Sequence, residues 1–257
     1  MMTLRGACYH RPPGLPGVEI LSCPDQEADF PPHLHDTLTL WINDRGGEYL
    51  RYRGSKSILQ PDSFGLINAG EVHANGYAGG NGRHLRSIYI DDGVVEKMLD
   101  SGKRSTHWPD GLHCASGLHQ ALGRLHQTLL ISPSPLECAQ AMAETLYLLG
   151  GFFRTKKNPP AGVESRRTAL IRSMLRDHLD RRILLDDLAS AADCTPTHLI
   201  RMFRKETGLS PHAYLIRLRV AKAKRLLGCG HAPLETALAT GFADQAHLSH
   251  WFKVLVG

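Results

Sequence analysis

No apolar run in this 257-residue chain approaches the roughly 20 residues that a membrane-spanning helix needs, so no transmembrane segment is expected. The N-terminus shows no signal-peptide pattern either, and a cytoplasmic location follows as an expectation. Six cysteines, at positions 8, 23, 114, 138, 194 and 229, are scattered without a CxxC pairing. That spacing argues against a disulfide framework or a cysteine-based zinc site and fits a reducing compartment. No nucleophile and base stand in a readable catalytic arrangement, so the chain is not expected to be an enzyme.

What is present is chain enough for two ordinary domains, with 21% charged and 42% hydrophobic residues in the range of a globular protein. The net charge of +5 is modest but unevenly placed. Residues 163–257 hold 15 Lys+Arg against 9 Asp+Glu, a balance of +6; residues 1–162 hold 15 against 16, a balance of −1. On charge alone that is a solvated basic surface. Combined with an internal repeat it becomes a nucleic-acid footprint.

The repeat begins with Thr195-Pro-Thr-His-Leu-Ile-Arg-Met-Phe-Arg-Lys-Glu-Thr-Gly208. Thr195 is a good N-cap, Pro196 suits the first helical position and Gly208 is a natural stop. Leu199, Met202 and Phe203 form an apolar stripe, while Thr197, Ile200, Arg201 and Arg204 turn outward. A short Ala-rich helix, Leu185 to Ala192, precedes it through Asp193-Cys194. Helix, tight turn and helix with a basic outer face is a helix-turn-helix. About 49 residues on, Leu248, Trp251 and Phe252 repeat the stripe, Lys253 repeats Arg204 and His250 stands where Arg201 stood. Pro233 to Thr240 repeats the short helix, and Pro211 to Leu227 reads as one long helix joining the copies, with Arg217, Arg219, Lys222, Lys224 and Arg225 in it.

In the first half the pattern changes to short strands with turn residues. Thr37 to Asn43 alternates, with Leu38, Leu40 and Ile42 on one face and Thr37, Thr39, Trp41 and Asn43 on the other. Glu48 to Arg53, Lys56 to Gln60, Phe64 to Asn68 and Arg83 to Ile90 follow, which makes a small barrel or sandwich. Two helices come next, His113 to Leu130 with Leu118, Leu122, Leu125 and Leu129, then Leu136 to Phe153. Their apolar stripe either covers the open face of the barrel or forms a dimer contact. Arg154 to Gly162 is a polar linker with Pro and Gly. A helix over Arg166 to Leu179 then opens the second half, with Leu170, Met174 and Leu175 towards its core.

With "RMFRKETGLSPHAYL" in the first copy and "GFADQAHLSHWFK" in the second, residues 165–257 resemble the DNA-binding domain of AraC/XylS-type transcription regulators. Pro31-Pro-His33-Leu-His35 and Asn68-Ala-Gly-Glu-Val-His73 resemble the cupin sensor domain of the same family, with Ala69 in place of the customary Pro and Asp62-Ser63 in place of Pro-Gly-Asp. The resemblance implies an α+β protein. Residues 1–153 would be a sensing and dimerisation domain, with its barrel at about 15–90 and helices at about 92–153. A linker at 154–164 would lead to an all-α domain with helix-turn-helix units at about 185–207 and 233–255. It implies as partners double-stranded DNA, a small-molecule effector, a second copy of the chain through the helices after the barrel, and RNA polymerase, with no membrane.

Candidate DNA contacts are Thr197, Ile200, Arg201, Arg204 and Lys205 in the first unit and Gln245, Ala246, His247, Ser249, His250 and Lys253 in the second. Arg201 suits guanine and Gln245 adenine, whereas Arg204, Lys205 and Lys253 suit phosphate. Candidate ligand contacts are His33, His35, Trp41, Tyr52 and His73. Enzymatic cupins add a carboxylate to such histidines, but Thr39 and Leu40 stand near its expected place. No metal cofactor is therefore assigned, and the histidines read as lining the barrel mouth. Three readings follow: a ligand-responsive regulator, a metal-dependent cupin enzyme with a helical appendage, and a constitutive DNA-binding protein whose barrel only dimerises. Family members usually continue past the Phe252-Lys253 position with a turn and a final helix. Leu255 and the Trp251 ring are accordingly expected to be partly exposed.

Overall fold

The computed structural model describes residues 7–256 apart from 28, 61, 80–81, 100–107 and 155–161. Most of the 154–164 linker therefore lies outside the described residues. In chain order the elements are β1 (Cys8–His10), β2 (Val18–Gln26), β3 (Phe30–His33), β4 (Leu38–Asn43), β5 (Glu48–Tyr52), β6 (Ser55–Ile58), β7 (Ser63–Ile67), β8 (His73–Tyr77), β9 (Arg83–Ile90), α1 (Asp92–Met98) and β10 (Gly111–Cys114). Then come α2 (Ser116–Ile131), α3 (Pro135–Arg154), α4 (Val163–Asp177), α5 (Leu185–Ala191), α6 (Pro196–Thr207), α7 (Pro211–Gly228), α8 (Pro233–Ala239) and α9 (Gln245–Leu255).

The strands pair antiparallel in two sheets, ordered β1-β2-β9-β4-β7-β10 and β3-β8-β5-β6. β4 shows why both faces are needed. Leu38, Leu40 and Ile42 join Phe64, Leu66, Ile88 and Ile90 under the helices, whereas Trp41 turns inward to Leu50, Ile67 and Leu85 between the sheets. Each fully buried side chain of this kind contributes about 1.5–3 kcal/mol. Trp41 needs Gly65 opposite it, since a Cβ at 65 would sit 2.1 Å from the indole. The indole thus fills the barrel at that level.

Leu118, Leu122, Leu125 and Leu129 of α2 are buried against the larger sheet and α3. That stripe covers the barrel and is not a dimer surface. The exposed apolar residues of the pair are Leu136, Tyr147 and Leu148 on α3 and Ile131 at the end of α2. The expected helix start at His113 is wrong: His113 and Cys114 belong to β10, paired with Phe64 and Ser63, and the helix begins at Ser116. In α4 the core-facing residues are Thr168, Ile171, Arg172 and Leu175. Leu170, expected inside, is 44% exposed because the helical phase puts it beside rather than on that stripe.

The helical half has two cores. Ile171, Leu175, Leu188, Leu199, Phe203, Tyr214 and Leu218 build the first, which also takes in Leu34 from the barrel. Ile216, Val220, Ala223, Ala237, Phe242 and Leu248 build the second. α7 contributes to both, as the long connecting helix read from the sequence requires.

His126 on α2 is 1% exposed, and its Nε2 donates to the Leu21 carbonyl at 3.1 Å. Burial pushes its pKa down to about 4 from 6.5. The unfolded chain therefore binds a proton between pH 6.5 and 4 that the folded chain does not, and stability falls as pH falls through that window. Thermal unfolding followed from pH 7 to 4 should show a loss of roughly 3 kcal/mol from this group, and H126L should lose that part of the slope.

Candidate nucleic-acid interface and barrel site

Both outward helices are specified by their own ends. In α6 the Thr195 hydroxyl accepts from the His198 N–H at 3.3 Å, Pro196 takes the first position and Gly208 at φ 75° ends the helix. α9 uses Asp244 instead, whose carboxylate accepts from the His247 N–H at 2.7 Å. The turn before α6 spans residues 192–195 with Asp193 at φ 48°, and the turn before α9 spans 240–244 with Gly241 at φ 78°. The second turn is thus one residue longer.

Leu199, Met202 and Phe203 are buried, and Thr197, Ile200, Arg201, Arg204 and Lys205 stand exposed on the outward side. In α9 Leu248 is buried, while Gln245, Ala246, His247, Ser249, His250 and Lys253 are exposed. Trp251 and Leu255 are half-buried, where Met202 of the first copy is closed off. Several outward groups already have neighbours. Arg201 Nη2 lies 3.3 Å from His198 Nδ1, and Lys205 lies 3.5 Å from Glu164. His247 Nε2 accepts the Trp251 indole N–H at 3.1 Å, so its neutral ring can offer solvent only a donor. The α7 cations divide between tasks. Arg219 donates to the carbonyls of Leu179 and Arg181, at 2.8 and 2.9 Å, and Arg225 pairs with Asp91 at 2.8 Å and Asp36 at 3.4 Å.

The barrel histidines converge. His33 ends β3 opposite His73, which begins β8, and His35 follows two residues later. Ring centroids of His33 lie 4.3 Å from His73 and 5.0 Å from His35, and one ring nitrogen from each of the three lies within 4.8 Å of the others. Burial, and for His35 and His73 the neighbouring imidazoles, push these pKa values down, so the rings are neutral near pH 7. Trp41 stacks on His73 with centroids 6.4 Å apart. Tyr52 is in register with His73, but its hydroxyl donates to Asp110 at 2.9 Å. Tyr89, not singled out from the sequence, stands 5.0 Å from His35.

Beside His73 runs the contact between the two halves, which sequence reasoning missed. The carboxylate of Glu71 accepts from Arg172 of α4 and, at 3.2 Å, from Arg53. Burial pushes the Glu71 carboxyl up, but the two guanidiniums and the hydrogen bond from Arg172 outweigh it and leave it below its ordinary value. Arg172 Nε also donates to the Tyr214 hydroxyl at 3.2 Å, and that hydroxyl donates to the Gly70 carbonyl. At φ +75°, Gly70 has no room for a side chain: a Cβ would lie 2.8 Å from the Tyr214 oxygen. One signal was available, since Arg172 is a cation on the core face of an otherwise apolar helical stripe.

Comparison with known proteins agrees with this architecture. Residues 15–149 match the model of the AraC-like ligand binding domain, and residues 188–257 match a helix-turn-helix domain model. The chain is 31% identical over 230 residues to the probable transcriptional regulator LumQ of Photobacterium leiognathi, covering 88% of each. It is 25% identical over 223 residues to the HTH-type transcriptional regulator YbfI of Bacillus subtilis, covering 85% of this chain and 81% of that one. In fold it is similar to ToxT of Vibrio cholerae, with a TM-score of 0.56, 12% identity, and 92% of this chain and 93% of that one covered.

Removing one partner from the Glu71–Arg172 pair leaves a buried charge. R172M should lower stability by about 3–5 kcal/mol in denaturant unfolding, and the double variant E71L/R172M should recover much of that loss.

Proposed function

The chain belongs to the AraC family of transcriptional regulators, and we propose that it reads DNA with the outward faces of α6 and α9 under the control of a ligand held in the barrel. The observation that carries the first part is the repeated burial pattern: apolar residues inward at helical spacing, polar and cationic residues outward, on two helices each led by a short helix and turn. A helix so presented fits the major groove. Arg201 is the candidate reader of guanine, and Gln245 of adenine. Arg204, Lys205 and Lys253 supply phosphate contacts, with affinity that falls steeply with salt. Thr197, Ile200, Ala246, Ser249 and the histidines 247 and 250 complete the faces.

His33, His35, Trp41 and His73 are the proposed ligand contacts, with Tyr52 behind them. ToxT of Vibrio cholerae, similar in fold, is known in an unsaturated fatty acid-bound structure, which supports a ligand-holding barrel here. The exposed Leu136, Tyr147 and Leu148 of α3 support a homodimer through that helix. A cytoplasmic location and RNA polymerase as a further partner fit a transcription regulator.

Selection of bound sequences from random DNA should return two short motifs about one helical turn apart, bound with steep salt dependence. A single motif, or binding indifferent to salt, would overturn the two-helix reading. R201A should cost about 1–3 kcal/mol and relax preference at one base pair, whereas R204A should weaken all sequences alike and reduce the salt slope by about 1. H250R gives the second helix a guanidinium fork in place of an imidazole and should tighten binding; unchanged or weaker binding counts against contact at that position.

A further inference from the structure

Three imidazoles from two segments of the chain, 33–35 and the start of β8, meet at the barrel mouth, interleaved with residues that pack against the helical half. We propose that His33, His35 and His73 bind one divalent transition-metal ion of the imidazole-preferring class, such as Zn2+, Co2+ or Ni2+, and that this ion is the ligand felt at the contact between the two halves. The second clause rests on the regulator reading; the first does not.

The donor geometry fits. A tetrahedral ion with metal–nitrogen distances of about 2.0–2.1 Å sets its ligand nitrogens about 3.3 Å apart, and one nitrogen from each ring lies within 4.8 Å of the other two. Small rotations of the rings close that difference. The tautomers of two of the three rings are also set. His33 Nδ1 donates to the Pro31 carbonyl at 2.8 Å and His73 Nδ1 donates to the Glu71 carbonyl at 3.1 Å, which leaves Nε2 of each with a free lone pair. Metal-binding imidazoles are held in this way, one nitrogen tied to a backbone carbonyl and the other offered to the ion.

The nearby carboxylates are engaged elsewhere, Asp36 with Arg225 and Glu71 with Arg172 and Arg53. Three neutral donors therefore leave a fourth position for water or an anion. Thr39 is buried with its hydroxyl unpartnered among the described residues, and it is in register with Tyr89, whose ring is 5.0 Å from His35. His33 and His35 are half-buried, so solvent has a path to the site. With Trp41 filling the barrel against Gly65, a single ion needs less room than a bulky organic molecule.

The same residues face the other way too. Leu34, between two of the histidines, and Val72, next to the third, pack in the first helical core. The His35 carbonyl accepts from Gly70 N–H at 2.7 Å, the Gly70 carbonyl accepts from Tyr214, and Glu71 bonds Arg172. Drawing the three rings together pulls on both segments that hold the helical half.

The full chain, stripped with a chelator and titrated with Zn2+ and with Co2+, should bind one ion, give a tetrahedral Co2+ spectrum and unfold at higher temperature when loaded. H33Q/H73Q should abolish all three responses, with H35Q as the alternative should the double variant not fold, while H212Q on exposed α7 surface should leave them unchanged. Absence of stoichiometric binding, or binding retained in the histidine variants, overturns the site. Affinity for the selected DNA should then differ at least about fivefold between Zn2+-loaded and chelator-treated protein, with DNA shifting the Zn2+ affinity by the same factor. Equal affinity overturns the coupling. Failure to bind DNA in either condition counts instead against the regulator reading.

Discussion

Glu71 and Arg172 are both nearly closed to solvent, and the buried Arg172 charge depends on the Glu71 carboxylate, which half-exposed Arg53 also meets. Their pairing therefore dictates where the barrel meets the helices. It ties the turn before β8 to the middle of α4, and the hydrogen bonds from Tyr214 and Arg53 extend the tie to α7 and back into the smaller sheet. Around this polar centre Leu34 and Val72 continue the apolar core of the first helix-turn-helix unit into the barrel. Arg225 with Asp36 and Asp91, and Arg11 with the Gly228 carbonyl at 2.7 Å, secure the far end of α7.

That arrangement gives the two halves a common segment. Glu71 and Val72 belong to the barrel by backbone and to the helices by side chain, Gly70 adds its carbonyl, and Leu34 does the same between His33 and His35. A ligand at the histidines need not act over distance; it acts on the segment that also carries the contact. Because core packing allows few intermediate arrangements, a shift of small size at such a place is resisted or passed on rather than absorbed.

The two reading helices are not equivalent. The first is closed behind by Leu199, Met202 and Phe203, with Phe203 edge-on to Tyr214 at 5.3 Å, and it stands directly on the contact between the halves. The second rests on Leu248 with Trp251, Phe252 and Leu255 only partly covered. The first helix is linked to the barrel through Arg172 and Tyr214, whereas the second packs on α7. The larger apolar core and the contact with the barrel thus fall on the same unit.

The amino-acid order alone determined the elements whose causes are local. Caps, a left-handed stop and an apolar stripe define α6 within fourteen residues, the repeat defines α9, and period-two alternation defines β4; these are short-range preferences that survive without knowledge of the fold. β8 and β10 were not legible because His73-Ala-Asn-Gly-Tyr77 and Gly111-Leu-His-Cys114 have weak strand propensity and are strands only because β3, β5 and β7 lie alongside. The meeting of His33, His35 and His73 was foreshadowed by motif, but their donor spacing was decided by strand register. Glu71 and Arg172 are 101 positions apart, and nothing in either neighbourhood names the partner. A buried charge finds its counterion through the packing of whole elements, so only the tertiary structure decides that pair, and with it how the barrel holds the helices.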